Sequence, residues 1–250
     1  MTIRSLLLDI KTIAQENMIS EPYIVGGLPR DKAMGMMSNI EDVDITTGDD
    51  SVHKLALLVA DKFKTTPVQL EDGHYQLIID HIKYDFSSNY NSPDVDFFLT
   101  RADIKEPTAM QKELFSRDFT CNTLVVPMNF LKIQDNTGMG FKDIKNKIIR
   151  CPLPPRITLR DDPRRVIRAI YLAAKLGFTI EKDIIVWAVN HHELIKKYVK
   201  PGFSKNKLAK AAKKDIKKTI DYITQMKLGT VVSLPKILSD ATFSGESNVK

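Results

Sequence analysis

The chain has 250 residues, 43% hydrophobic and 27% charged, the composition of a globular protein with a sizeable core and no fibrous or disordered bias. No apolar run reaches the roughly eighteen residues that cross a bilayer, the opening MTIRSLLLDIKTIAQ is amphipathic rather than a signal peptide, and Cys121 and Cys151 are too few for a disulfide framework or a thiolate zinc site. A cytoplasmic protein without membrane partners is expected, with both cysteines as packing residues. Charge divides the chain: residues 1–150 hold 17 Lys+Arg against 22 Asp+Glu, and residues 151–250 hold 20 against 9. That imbalance points to a carboxylate-based site joined to a surface that attracts a polyanion, nucleic acid before membrane.

Residues 3–16 carry Ile3, Leu6, Leu7, Ile10 and Ile13 at helical spacing and predict an amphipathic helix. An apolar strand, Tyr23-Ile24-Val25, runs into Gly26-Gly27, and residues 30–37 predict a helix with Met34, Met36 and Met37 in the core. Asp42-Val43-Asp44-Ile45-Thr46 has the alternation of a half-buried strand, which sets both aspartates on one face. A helix over 52–64 comes next, strands at 75–79 and 82–86 pair as a hairpin around Asp80-His81, and 89–107 reads as loop. Residues 117–150 return to helix and strand, with 122–126 entering an apolar run, up to the break Pro152-Leu153-Pro154-Pro155. Beyond it the pattern is helical to about residue 238, then polar and frayed. The chain therefore predicts an α+β sheet domain at 1–150, a helical domain at 151–238 and a tail at 239–250.

Asp42 and Asp44, projecting from one side of a strand, offer hard oxygen ligands for divalent cations. Two such ions activate a 3′ hydroxyl and neutralise a departing pyrophosphate. A solvated strand edge is the commoner origin of an Asp-x-Asp. What raises the pair above that is the preceding Gly26-Gly27-Leu28-Pro29-Arg30-Asp31, whose glycine turn lets backbone N–H groups approach phosphate and whose Arg30 offers a charge-assisted fork.

VGGLPRD followed by EDVDIT resembles the signature of the class II CCA-adding enzyme and bacterial poly(A) polymerase family. Ser116-Arg117-Asp118-Phe119-Thr120-Cys121-Asn122 resembles that family's Arg-Arg-Asp-Phe-Thr-x-Asn motif. Residues 135–150 resemble its Asp, Gly-Gly, Asp-Leu, Ile-Arg segment, and Asp161-Asp162-Pro163-Arg164-Arg165 its Glu-Asp-x-x-Arg motif. The four stand in family order over roughly residues 22–180. The resemblance implies a polymerase β-like nucleotidyltransferase head, with a mixed sheet and flanking helices, followed by an all-helical neck. It implies two Mg2+ on Asp42 and Asp44, with Asp85 as a third strand carboxylate serving as base or ligand, although an exposed strand acid explains Asp85 equally well. It sets Gly26, Gly27 and Arg30 at the triphosphate, Arg117 at phosphate or sugar, and Asp118 and Asn122 in the same nucleotide-binding motif.

Thr158-x-x-Asp161 reads as a capping-box start and Pro163 as a first helical turn, which sets Asp161, Arg165 and Arg168 on one face. A surface ion-pair face is the plain reading; the family reading makes Asp162 and Arg165, assisted by Arg168, a protein template for the incoming base edge. Residues 205–223 project as one amphipathic helix with Lys207, Lys210, Lys213, Lys214, Lys217 and Lys218 on one arc, an RNA-backbone contact or a solvated basic face. His191 and His192, adjacent on a helix, point apart and receive no chemistry, and Trp187 reads as core.

Several positions depart from the family pattern. Ser116 replaces an arginine, Tyr171 stands where a further arginine is usual, and Gly138-Met139-Gly140 carries an extra residue. Family members usually continue beyond head and neck into body and tail domains that hold tRNA, so an oligomer or partner protein is one expected source of that grip. The first functional reading is addition of CCA, or part of it, to tRNA 3′ ends from CTP and ATP. The alternatives are a poly(A) polymerase acting on RNA 3′ ends and a catalytically idle RNA-binding protein.

Overall fold

The computed structural model describes residues 2–36, 40–70, 73–88 and 94–238. Met37 and the tail 239–250 lie outside them. The chain divides into two compact units, Met1–Ile144 and Lys145–Lys250.

The first unit runs α1 (Ile3–Glu16), β1 (Tyr23–Val25), α2 (Gly27–Ala33), β2 (Asp42–Thr46), α3 (Ser51–Lys62), β3 (Val68–Gln69), β4 (Tyr75–Ile79), β5 (Ile82–Phe86), α4 (Val95–Arg101), α5 (Ala109–Phe115), a 3-10 turn at Thr120–Asn122, β6 (Val126–Pro127) and α6 (Gly140–Asn146). Six strands form one mixed sheet in the order β3-β4-β5-β2-β1-β6, in which only β2 and β5 pair in parallel. The hairpin forms as predicted, with Ile79 opposite Ile82 and both turn residues, Asp80 and His81, at positive φ, as a two-residue turn with the strands' own twist requires.

Alternation along the strands sorts the two sheet faces. Val43 and Ile45 of β2, Leu77 and Ile79 of β4, and Tyr84 and Phe86 of β5 point to one side, where they join Leu6, Leu7 and Ile10 of α1 and Val52, Leu55 and Val59 of α3 in the core. Each such fully buried aliphatic contributes about 1.5–3 kcal/mol, so this face is anchored. The opposite side of β2 and β5 therefore carries Asp42, Asp44, Lys83 and Asp85. Towards β1 the same side is covered by Leu114 of α5, packed on Val25 and Val125.

Several local elements differ from expectation. The helix after the glycines starts at Gly27, ends at Ala33 and leaves Met36 exposed, because Gly35 adopts a positive φ that stops it. The stretch expected as loop holds α4, whose Val95 and Leu99 are buried at i,i+4. Where 122–126 enter the apolar run, the 3-10 turn ends at Asn122, Val125 bridges Gln134 and Val126–Pro127 pair as β6. Thr158 starts no helix: it lies inside α7 (Pro155–Asp161), and its hydroxyl donates back to Leu153 O.

The second unit continues with β7 (Ile148–Ile149), α7, α8 (Arg165–Leu176), β8 (Thr179–Ile180), α9 (Lys182–Asn190), α10 (His192–Tyr198), α11 (Pro201–Lys214) and α12 (Ile216–Gln225). It is helical apart from the short parallel pair β7–β8. The lysine-rich segment is two helices rather than one. Asp215 takes extended backbone, and its carboxylate accepts from Lys218 N, capping α12 and breaking the single arc projected from 205–223.

Candidate active site

β2 and β5 set the carboxylates by register: Asp42 lies opposite Lys83 and Asp44 opposite Asp85, all on the face away from the core. Asp42, Asp44 and Asp85 each offer an oxygen within 4.8 Å of the others. Burial lifts the Asp44 carboxyl above its ordinary value; Arg117 opposes this, while the charges of Asp42 and Asp85 add to it. Three mutually repelling acids favour a multivalent cation between them, and their hard oxygens at this spacing could hold a divalent metal ion.

The glycine turn meets this cluster. Gly26 has φ +75°, and a Cβ there would overlap Asp44 Oδ2, so both the backbone and the space demand glycine. Gly27 is less constrained, a Cβ there lying 3.3 Å from Arg30 Nη2. Arg30 is turned inward at 3% exposure: its guanidinium bonds Asp31 at 2.7 Å and donates from Nη1 to Asn122 Oδ1 at 2.7 Å. Asn122 in turn donates to Asp118 Oδ1 at 2.9 Å, which also accepts Phe119 N. Three residues read from sequence as nucleotide contacts thus form one buried chain that ties α2 to the 3-10 turn. Arg117 is held by Glu113 at 2.8 Å, the glutamate wholly buried, and its Nε is buried with no hydrogen-bond partner among the described residues.

Lys83 is the residue that sequence reasoning passed over. Its ammonium lies 3.1 Å from Asp42 and 2.7 Å from Asp85, and Gln76 Nε2 donates to the other oxygen of Asp85 at 2.8 Å. Burial disfavours its charge, but the bonds to Asp85 and Asp42 outweigh this and hold Lys83 above the ordinary lysine value. The signal was available, since Lys83 stands two before Asp85 on a strand and must share its face. The third motif also has a packing reason. A Cβ at Gly140 would lie 2.7 Å from Leu124 and 3.0 Å from Thr120 O, and buried Asp143 accepts from Thr120 Oγ1 at 2.7 Å.

In the second unit, Asp162 accepts from Arg164 through both its N and Nε, at 2.9 and 2.8 Å. Arg165 donates to Thr158 O at 3.0 Å and lies 3.5 Å from Asp161, and Arg168 is exposed on α8. Of the six lysines, two turn inward: Lys207 sits 4.8 Å over the Tyr171 ring and Lys218 donates to Phe178 O at 3.3 Å. Lys210, Lys213, Lys214 and Lys217 are exposed.

Residues 22–150 match the poly(A) polymerase head domain, more than half of the chain. The chain belongs to this family. Its head carries the carboxylate cluster and the glycine turn described above. Among curated relatives, tRNA nucleotidyltransferase cca2 of Schizosaccharomyces pombe is 28% identical over 183 residues, 66% of this chain and 37% of that protein. A tRNA nucleotidyltransferase solved with a primer tRNA and an incoming ATP analogue matches with TM-score 0.64 at 26% identity, over 87% of this chain and 59% of that one. The CCA-adding enzyme of Bacillus stearothermophilus solved with CTP shares the fold, with TM-score 0.72 at 19% identity over 93% and 54%. The chain thus spans less than two thirds of each. No helix among the described residues is long and apolar enough to cross a membrane.

Proposed function

We propose that the protein is a template-independent nucleotidyltransferase that adds CCA, or part of it, to tRNA 3′ ends from CTP and ATP. The observation that carries this reading is the convergence of Asp42, Asp44 and Asp85 beside a turn whose Gly26 has no room for a side chain. Asp42 and Asp44 would hold two Mg2+, which supply charge neutralisation for the triphosphate and a more acidic 3′ hydroxyl.

The remaining roles belong to the chain's own side chains. Lys83 neutralises the acids and orients Asp85, whose other oxygen Gln76 fixes. Asp85 is the carboxylate suited to receive the hydroxyl proton. Arg117, locked by Glu113, presents positive charge to the Asp44 side of the site, where phosphate oxygens gather. The Arg30–Asn122–Asp118 chain holds the glycine turn rigid against the cluster. Asp162, at the end of α7, with Arg165 and Arg168 of α8, selects the base by exchanging present partners for its edge. The exposed lysines Lys210, Lys213, Lys214 and Lys217 hold the RNA backbone without sequence choice.

The test is incubation with Mg2+ and each NTP on tRNAs ending at the discriminator base, at C and at CC, beside an unstructured RNA. Growth that stops at CCA, or adds only C or only A, supports the reading. Long A tails on every RNA would make the protein a poly(A) polymerase, and no addition to any would leave an idle RNA-binding protein.

A further inference from the structure

We infer that the helical unit holds a second nucleotide-binding subsite, in a cleft of about 620 Å3 between α7 and the α9–α10 junction, which takes one unstacked base with its phosphate. The volume lies in the range of small-ligand sites. A neighbouring lobe of about 380 Å3 shares Arg156, Trp187 and His191 with it. The cleft is formed by the helical unit alone, apart from the head's chemistry.

Three features identify the ligand. Trp187 is 6% exposed and acts as a foundation: the His191 ring lies on it at 4.3 Å, with 8° between the planes. His191 Nδ1 is 2.8 Å from Trp187 O, and because a carbonyl only accepts, Nδ1 carries the proton and the ring is pinned. His191 breaks the run from α9 to α10 with non-helical backbone and is exposed, so the platform offered to a base is the histidine. Arg156 and Arg160 stand i,i+4 on α7, both exposed and both lining the cleft, as a fork suited to a phosphate. Glu193 also lines it. A carboxylate there disfavours a bare anion and accepts from an exocyclic amino group, so adenine or cytosine fits better than uracil. Base stacking with phosphate contact is the pattern of single-stranded nucleic acid recognition.

Trp187 is the chain's only tryptophan, so its emission reports this cleft directly. The full chain, carrying Asp44→Ala and kept in EDTA to silence the head, is titrated with A5 RNA, U5 RNA and AMP. A saturable change in emission is expected, tighter for A5 than for U5. A change with A5 alone assigns an RNA strand, and an equal change with AMP assigns a free nucleotide. Arg156→Ala with Arg160→Ala should weaken binding on the order of tenfold and flatten its salt dependence. The double lysine variant, which keeps the charge and loses the fork, should fall between. No saturable change, or one untouched by both double variants while circular dichroism shows them folded, overturns the subsite. Nucleotide addition by the unsubstituted chain is measured separately: its absence beside an intact emission change removes the proposed activity and leaves the subsite standing.

Discussion

The carboxylate site of the head and the lysine face of the helical unit use charge in opposite ways. In the head, charged groups are interlocked: Arg30 is tied to Asp31 and Asn122, Arg117 to buried Glu113, and Lys83 lies between Asp42 and Asp85. In the helical unit, Lys210, Lys213, Lys214 and Lys217 are displayed outward, with Asp215 spent on capping a helix. Interlocked charges fix geometry, and displayed charges attract a polyanion. Chemistry should therefore fail when the head is altered, and affinity when the helices are.

The largest effect is expected from Asp42→Ala or Asp44→Ala. Nucleotide addition should fall by at least about 10²–10³-fold, with RNA affinity unchanged in a filter-binding assay; a fully active variant refutes the metal role. Gly26→Ala comes next, because it forces a side chain against Asp44 at a positive φ. It should abolish addition and cost about 2–4 kcal/mol of stability in thermal melts. Asn122→Ala leaves the buried Arg30 Nη1 without its partner and should cost about 1–3 kcal/mol, with turnover falling in step with misplacement of the turn. Alanine at Lys210, Lys213, Lys214 and Lys217 should leave turnover at saturating RNA intact and lower the log–log salt slope by about 0.7 per lost phosphate contact. An unchanged slope makes that face merely solvated.

The smallest effect expected is on pH dependence in the head. Burial raises the Asp49 carboxyl, but bonds from Ser20, Ser51 and Thr47 outweigh this and hold it below the ordinary carboxylate value. Its stabilisation is then present above the unfolded value and is lost as pH falls through the lower folded one. Because Asp49 is only partly buried, solvent screens it and the loss should be only a few tenths of a kcal/mol. The melting midpoint of Asp49→Asn should vary less over that acidic range.

Local pattern made much of the head readable. Strand alternation put Asp42 and Asp44 on one face, and the chemistry of Asp80-His81 set the hairpin that carries Asp85. Periodicity failed where one residue interrupts it. A 100° projection through 205–223 cannot register Asp215 leaving helical backbone, and four apolar residues in 95–99 were too short a run to be read as α4. Arg30 was legible as a residue beside the glycines, but its direction was not, because its partner Asn122 is 92 positions away.

By itself the sequence determined the features that neighbours along the chain can set: the helices and strands with clean periods, the face shared by two aspartates, the turn that needs glycine, and the charge imbalance between halves. Tertiary structure alone decided which strands lie side by side and where long side chains reach. The parallel pairing of β2 with β5 brings Asp85 and Lys83 to Asp42 and Asp44, and α7 packing near the α9–α10 junction opens the Trp187–His191 cleft. Those outcomes rest on register and packing between segments far apart in the chain, where local spacing carries no information about which partner wins.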